Sequence, residues 1–459
     1  MYKPLRLFFA LFLTACSGKG AIAEDTLTGH WRLSIATPYY GTLDVLATSE
    51  ADGRYIFMTN GRETAERLAQ LPTNGTWFPE GHTAAFRLRA RATNEYEGQF
   101  ASLQGTFRRG ALDATFMVSG ETLTGTIATG GPFSGAVSGT RLPEAEARLR
   151  DYPQLNNALR HLMEEHLFDP RLIQGPELST TLELQAELAA LARDDVDFAM
   201  AYAFTTARLP FSHFQVLRPE GGLEGLLTTR SNRGAAGEDL SLAFDGAIAV
   251  LTIRSFIGDE IPRRIADAFA QIQSRGTERL IVDLRENSGG SLAGAVLANH
   301  LLAERRSVGY FVSNLWWQSS EALPSDTNVN EAPAFEGTSL DDFYAAIEAN
   351  GVMRVVSEPV ASPFEGEVVL LASPNSSSMS ELVLDALQRS GRATIVGEKT
   401  PGQMVSSRFF EMGEGFVARL PVADYFAADH TRIEGEGVTP DIEVPAGEAL
   451  NRAMTLLSH

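Results

Sequence analysis

Four segments of the chain carry residue types suited to nucleophilic chemistry. Asn375-Ser376-Ser377-Ser378-Met379-Ser380-Glu381 follows the apolar run Val368–Leu371 and opens a helical pattern. The first N–H groups of a helix lack backbone partners and its dipole is positive there, so a serine at that place can attack a carbonyl whose developing oxyanion finds donors beside it. Ser378 and Glu381, three apart, fit an ordinary helix-capping box equally well. Asp283-Leu284-Arg285-Glu286-Asn287-Ser288-Gly289-Gly290-Ser291 also follows a strand and precedes a helix. Its Gly289-Gly290 pair either lets the backbone approach a ligand closely or makes a plain turn. His213, between Phe211 and Phe214, is either a core residue or a general base near neutral pKa. Glu434 and Glu436 lie in Arg432-Ile433-Glu434-Gly435-Glu436-Gly437, a flexed acidic turn that either faces solvent or orients a histidine.

The elements that must position these residues read as a βαβ series. Strands are predicted at Ile248–Ile253, Leu280–Leu284, Val368–Leu371 and Ala393–Val396, and helices at Pro262–Gln273, Leu292–Leu302 and Ser380–Arg389. In a mostly parallel sheet the serine loop and the glycine loop emerge at the same C-terminal edge, where ligands bind. Residues 303–366 interrupt the series with Trp316-Trp317 and a short helix near Leu340–Ala349, and the length of this insertion points to a functional element or a packed subdomain. Upstream, Leu155, Leu159, Leu162, Met163 and Leu167 follow helical spacing. His161 and His166 are five apart, which does not fit the i,i+4 spacing of a zinc helix. Residues 27–141 are rich in Gly and Thr with short alternating runs, the pattern of a small antiparallel barrel or sandwich, with a short helix expected over 60–71. The expected partition is a targeting segment at 1–25, a β-rich domain at 26–142, a helical part at 143–216, and an α/β core at 217–459 that contains the insertion.

Composition narrows the classes. The 459 residues carry 38 Lys+Arg against 58 Asp+Glu, a formal charge of −20 that argues against unaided nucleic-acid binding. One cysteine excludes an intramolecular disulfide and any multi-cysteine zinc site. Two cations, at Lys3 and Arg6, precede the apolar run Leu7–Ala15, which is too short to span a bilayer and suits a signal-peptide core. The sole cysteine, Cys16, closes Leu13-Thr14-Ala15-Cys16, which resembles a lipobox and makes Cys16 a candidate lipid-attachment point. The alternative is simple cleavage after Ala21-Ile22-Ala23. Both routes predict export to the periplasm or outer envelope of a bacterium, with membrane attachment only if Cys16 is lipidated.

Taken together, the motifs resemble the tail-specific (C-terminal processing) serine peptidases and their tricorn-core relatives over roughly Leu155 to Val444. The motifs are Asp283-Leu284-Arg285-x-Asn287-x-Gly289-Gly290, then Ser378-x-Ser380-Glu381 leading to Val396-Gly397-Glu398-x-Thr400-x-Gly402, and finally Gly437-Val438-x-Pro440-Asp441-Ile442. The resemblance implies a crotonase-like core, an endopeptidase acting on protein or peptide through an acyl-enzyme, and no cofactor. It implies Ser378 as nucleophile, with oxyanion donors from Gly289 or Gly290 and from Met379. Many relatives place a lysine base directly after the glycine matching Gly402, where this chain has Gln403, which cannot act as a base. Lysine occurs only at Lys3, Lys19 and Lys399, and Lys399 is out of register. The Ser–His–Glu branch therefore fits better, with His213 as base and Glu434, or else Glu436, as the acid. Lys399 as base is the weaker variant. Only Leu217 to Gly246 is available where relatives insert a PDZ domain, so none is expected. The competing readings are an inactive ligand binder on the same fold, using the β domain or Trp316-Trp317, and an esterase with the same triad.

Overall fold

The computed structural model describes residues 26–50, 55–59, 85–101, 114–128, 134–206, 208–233 and 239–458. Cys16, the rest of the targeting segment and the helix expected over 60–71 lie outside them. Among the described residues no helix is long and apolar enough to cross a membrane.

Eight antiparallel strands between Gly29 and Leu142 close into a barrel, in chain order with the first strand against the last. The period-two pattern explains the closure. In Ala114–Ser119 every second side chain is buried, so Ala114, Phe116 and Val118 point inward with Trp31, Leu33, Leu43, Val45 and Val137. Trp31 satisfies its indole N–H on Leu27 O at 2.8 Å.

Helices Tyr152–His166, Pro176–Leu191 and Asp195–Thr206 follow, then the α/β core. One six-stranded sheet runs in the order Leu240–Asp245, Ile248–Ile253, Arg279–Asp283, Glu367–Ala372, Thr394–Gly397, Ile442–Glu443. All its pairings are parallel except the first. Its inner strands Arg279–Asp283 and Glu367–Ala372 are apolar on both faces because both are covered. Leu280 and Val282 pack toward helices Ile261–Ser274, Gly294–Leu301 and Met379–Arg389, whereas Ile281 packs toward helix Ala446–Leu457.

The region from 303 to 366 enters the chain between Arg279–Asp283 and Glu367–Ala372, which are neighbours in this sheet. It supplies strands Arg306–Ser313, Ala334–Phe335 and Val352–Ser357 of a second, mainly antiparallel sheet, completed by Ser406–Gly413 and Phe416–Ala427. The expectation of one mostly parallel sheet missed these strands: Arg306–Ser313, Val352–Ser357 and Phe416–Ala427 are largely buried runs without clear alternation. Trp316 and Trp317 have structural partners: Trp316 donates to Ala322 O, and the Arg171 guanidinium lies 3.6 Å from the Trp317 ring centroid.

The barrel joins the core through short strand Gln215–Leu217, which pairs with Val417–Arg419 on one side. Just beyond its end, Arg218 N donates to Tyr40 O and Thr42 N donates to Arg218 O, tying in the tip of the first barrel hairpin. Gly41 sits at φ +78°, and a Cβ there would stand 2.2 Å from Arg218 O. Gly41→Ala should therefore destabilise the full chain by about 1–3 kcal/mol, read as a lower urea midpoint. An unchanged midpoint would show that this junction tolerates a side chain.

Candidate active site

The glycine and serine loops are sewn together by their own polar groups. Asn287 donates from Nδ2 to Ile253 O at 3.1 Å and accepts from Gly289 N at 2.8 Å. Asn287 O takes the Ser377 N–H at 3.1 Å and the Ser380 hydroxyl at 2.9 Å, while the Ser376 hydroxyl donates to Leu284 O at 2.8 Å. Ser376 and Ser380 are fully buried and spend their hydroxyls on these bonds. Ser378 is the partly exposed member of the run. It stands at the N-cap of helix Met379–Arg389 with φ +59°, a conformation an L-residue adopts only when its surroundings enforce it.

That enforcement comes from two sides. Gly289, at φ +88°, packs so closely that a Cβ would stand 2.6 Å from the Ser378 Cβ. Glu381 accepts the Ser378 N–H at 3.0 Å, the Thr400 hydroxyl at 2.6 Å, and the Gly402 and Gln403 N–H groups at 2.7 Å each. Burial pushes its carboxyl upward and these donors oppose that. Glu381 does more than cap a helix: it ties the serine to loop 400–403, where Gln403 is exposed. Of the three expected oxyanion donors, the Gly289 N–H is already engaged by Asn287, whereas those of Gly290 and Met379 have no acceptor among the described residues.

His213 lies just before the strand at Gln215, also at positive φ (+61°). Its Nδ1 is 2.7 Å from Ser212 Oγ, and the other ring nitrogen has no partner among the described residues. Glu434 does not touch the imidazole. It accepts the Ser212 N–H at 2.5 Å and the Ser212 hydroxyl at 3.1 Å, together with the N–H groups of Met404 at 2.6 Å and Val405 at 3.2 Å. A hydroxyl that donates to Glu434 can only accept at Nδ1, so the bridge places the ring proton on Nδ1 and leaves Nε2 as a lone-pair base. Glu434 is buried and Glu436 exposed, and Lys399 is exposed as well.

Ser378, Met404 and Val405 line one cavity, together with Gly290, Leu292, Phe311, Leu340, Phe343, Met379 and Ser406. The segment whose N–H groups bind Glu434 thus forms a wall of the cavity that holds Ser378. No hydrogen bond joins Ser378 to His213 in this arrangement. Sequence reading missed Ser212; the signal was its place beside the histidine.

Residues 247–444 match the sequence profile of Peptidase family S41, which assigns this part of the chain to the tail-specific S41 peptidases, a family of serine-type hydrolases. Among curated proteins, the carboxyl-terminal-processing protease of a Picosynechococcus species is 28% identical over 181 residues, which cover 39% of this chain and 35% of that protein. A carboxy-terminal-processing protease of Bartonella bacilliformis is 37% identical over 95 residues, 21% of this chain and 22% of that protein. The chain thus matches about a third or less of these relatives' length. The solved structure of a photosystem II D1 C-terminal processing protease aligns with a TM-score of 0.42 at 14% identity, covering 66% of this chain and 97% of that one.

Burial, and then the charge of Arg419, push the His213 imidazole down to about 3. The folded value lies below the unfolded value of ~6.5, so the neutral ring's contribution to stability is whole above the unfolded value and is lost as pH falls toward about 3. Nitrogen-15 NMR of labelled protein should find His213 neutral, with its proton on Nδ1, at pH 5. A midpoint between pH 6 and 7, or an Nε2–H tautomer, would contradict this geometry.

Proposed function

We propose that this chain is an exported serine endopeptidase built on a crotonase-like core, acting through Ser378, His213, Ser212 and Glu434. The observation that carries this reading is the Ser212 hydroxyl, which bridges His213 Nδ1 and the buried Glu434 carboxylate beside the wall of the Ser378 cavity. Ser378 Oγ attacks the scissile carbonyl carbon while His213 Nε2 takes its proton. The imidazolium that forms is stabilised through Nδ1–H donated to Ser212, whose own hydroxyl proton points at Glu434. The carbonyl oxygen, now an oxyanion, accepts from the N–H groups of Met379 and Gly290. His213 returns the proton to the leaving amine, and the C–N bond breaks to leave an acyl-enzyme. Water, deprotonated by the same imidazole, attacks the acyl carbon and releases the acid and Ser378.

Peptide is the substrate class that suits the cavity. Leu292, Phe311, Leu340, Phe343 and Met404 make its wall largely apolar and its volume is only about 30 Å³, so the residue before the cut should be small and apolar. Leu340 and Phe343 come from helix Leu340–Asn350, which gives the 303–366 region a part in specificity. Lys399 is a poor candidate base because it is exposed and lies in none of the contacts that build the site. Export through the N-terminal segment, with lipid attachment at Cys16, would place the enzyme in the cell envelope.

Hydrolysis of internally quenched peptides with a small apolar residue before the cut tests the assignment. Ser378→Ala should lower kcat by about a thousandfold or more. Ser212→Ala removes the bridge without touching the nucleophile or the base, and should lower kcat by roughly 10- to 100-fold, on the order of 1.4–2.7 kcal/mol, with KM little changed. Wild-type kcat in both variants would refute the mechanism, and turnover of esters alone would make the enzyme an esterase.

A further inference from the structure

Arg419 is a cation without a counter-charge at the rim of the candidate site. It lies in strand Phe416–Ala427, flanked by Gln215 of the segment that follows His213 and by Phe409 of strand Ser406–Gly413. Its Nε donates to Ser407 Oγ at 2.7 Å, which turns the guanidinium toward Ser407, next to the cavity residues Val405 and Ser406. Tyr344, one residue after the cavity residue Phe343, donates its hydroxyl to Ser407 O at 2.6 Å and closes the other side. No carboxylate is paired with Arg419 among the described residues. The neighbouring charges are cationic. Burial and Arg230 push the Arg419 guanidinium down to about 10, and Arg408, which also acts on Tyr344, already has Glu348 at 2.8 Å.

A guanidinium kept largely from water, with one neutral acceptor, the Phe409 ring centroid 5.8 Å from its Cζ and another cation nearby, still lacks the anion that would complete it. Its planar fork matches a carboxylate, and its position beside the Ser378 cavity puts that carboxylate on whatever chain occupies the cavity. We propose that Arg419 is a specificity-determining residue that binds a carboxylate of the bound peptide, supplied either by its C-terminus or by an Asp or Glu side chain. The inference rests on the peptidase reading for its ligand class. It also links recognition to chemistry. Arg419 is the charge that acts on His213, so an anion paired with Arg419 offsets that charge and makes the imidazole a better base when the substrate is in place.

The test uses one labelled peptide with a small apolar residue at its centre, as the free acid, as the C-terminal amide, and as the amide with a Glu added after the centre. Binding is measured on Ser378→Ala protein, and cleavage on protein with Ser378 intact. One or both carboxylate forms should exceed the plain amide by about tenfold or more in affinity and in kcat/KM, the scale of one charge-assisted contact. Which form does so identifies the source of the carboxylate. Arg419→Gln, which can still donate to Ser407, should bring the ratio to near one, and Arg419→Lys should restore part of it. In Arg419→Gln the acid limb of kcat/KM should also move to higher pH, read in protein whose thermal unfolding matches wild type, because re-exposure of the buried His213 ring would move it the same way. Equal affinity for all three peptides, or a preference that survives Arg419→Gln in protein with wild-type thermal unfolding, overturns the proposal. Carboxylate-dependent binding without cleavage would leave the anion site standing and sink the peptidase reading instead.

Discussion

The site hangs on one buried carboxylate. Glu434 receives two bonds from Ser212 and one each from the Met404 and Val405 N–H groups. Those donors come from the link between the helical region and the core and from the loop after strand Thr394–Gly397, while Glu434 itself lies beyond the long strand Phe416–Ala427. A buried anion held by this many donors is rigid because every lost bond leaves an uncompensated charge. The same four contacts place the segment that bears His213 against the segment that walls the Ser378 cavity. Glu381 plays the parallel role for Ser378, gathering the Ser378, Gly402 and Gln403 N–H groups and the Thr400 hydroxyl. The two glutamate-centred clusters meet where loop 400–403 interlocks with turn 433–438. Gly435 N donates to Gly402 O, and at both Gly402 and Gly437 a Cβ would collide with the facing backbone.

Much of this frame is written in local pattern. The strands Ile248–Ile253 and Arg279–Asp283 and the helix Met379–Arg389 fall where period and capping residues put them, and the serine and glycine loops meet because both leave the same sheet edge. The second sheet was not legible. Its strands come from both sides of Glu367–Ala372, and nothing local says that Arg306–Ser313 pairs with Phe416–Ala427 rather than extending the first sheet. Among the polar residues, types and order pointed to Ser378, His213 and Glu434, but chain order carries no information about a bridging hydroxyl. Ser212 acquires its place only when a turn 222 residues away delivers Glu434 to it. The Gly289 N–H illustrates the converse: the loop sequence offers it as a donor, and only the fold shows Asn287 taking it.

The barrel is a structural neighbour of this machinery. Its first hairpin is fixed to Arg218, five residues beyond His213, and Asp195 ties it to the helices by accepting the Asp44 N–H and the Tyr152 hydroxyl. Asp194 takes the Leu46 N–H in the same way. The left-handed backbone at His213 is therefore held between the long strand of the second sheet and the tip of the barrel.

The central claim is that His213, oriented through Ser212 by Glu434, activates Ser378 and no other serine. Reaction with a fluorophosphonate, followed by peptide mass spectrometry, tests it most directly. The account predicts one adduct per chain, on the peptide containing Ser378, and its loss in His213→Ala. An adduct on a different serine, or labelling of Ser378 at an undiminished rate without His213, would contradict it.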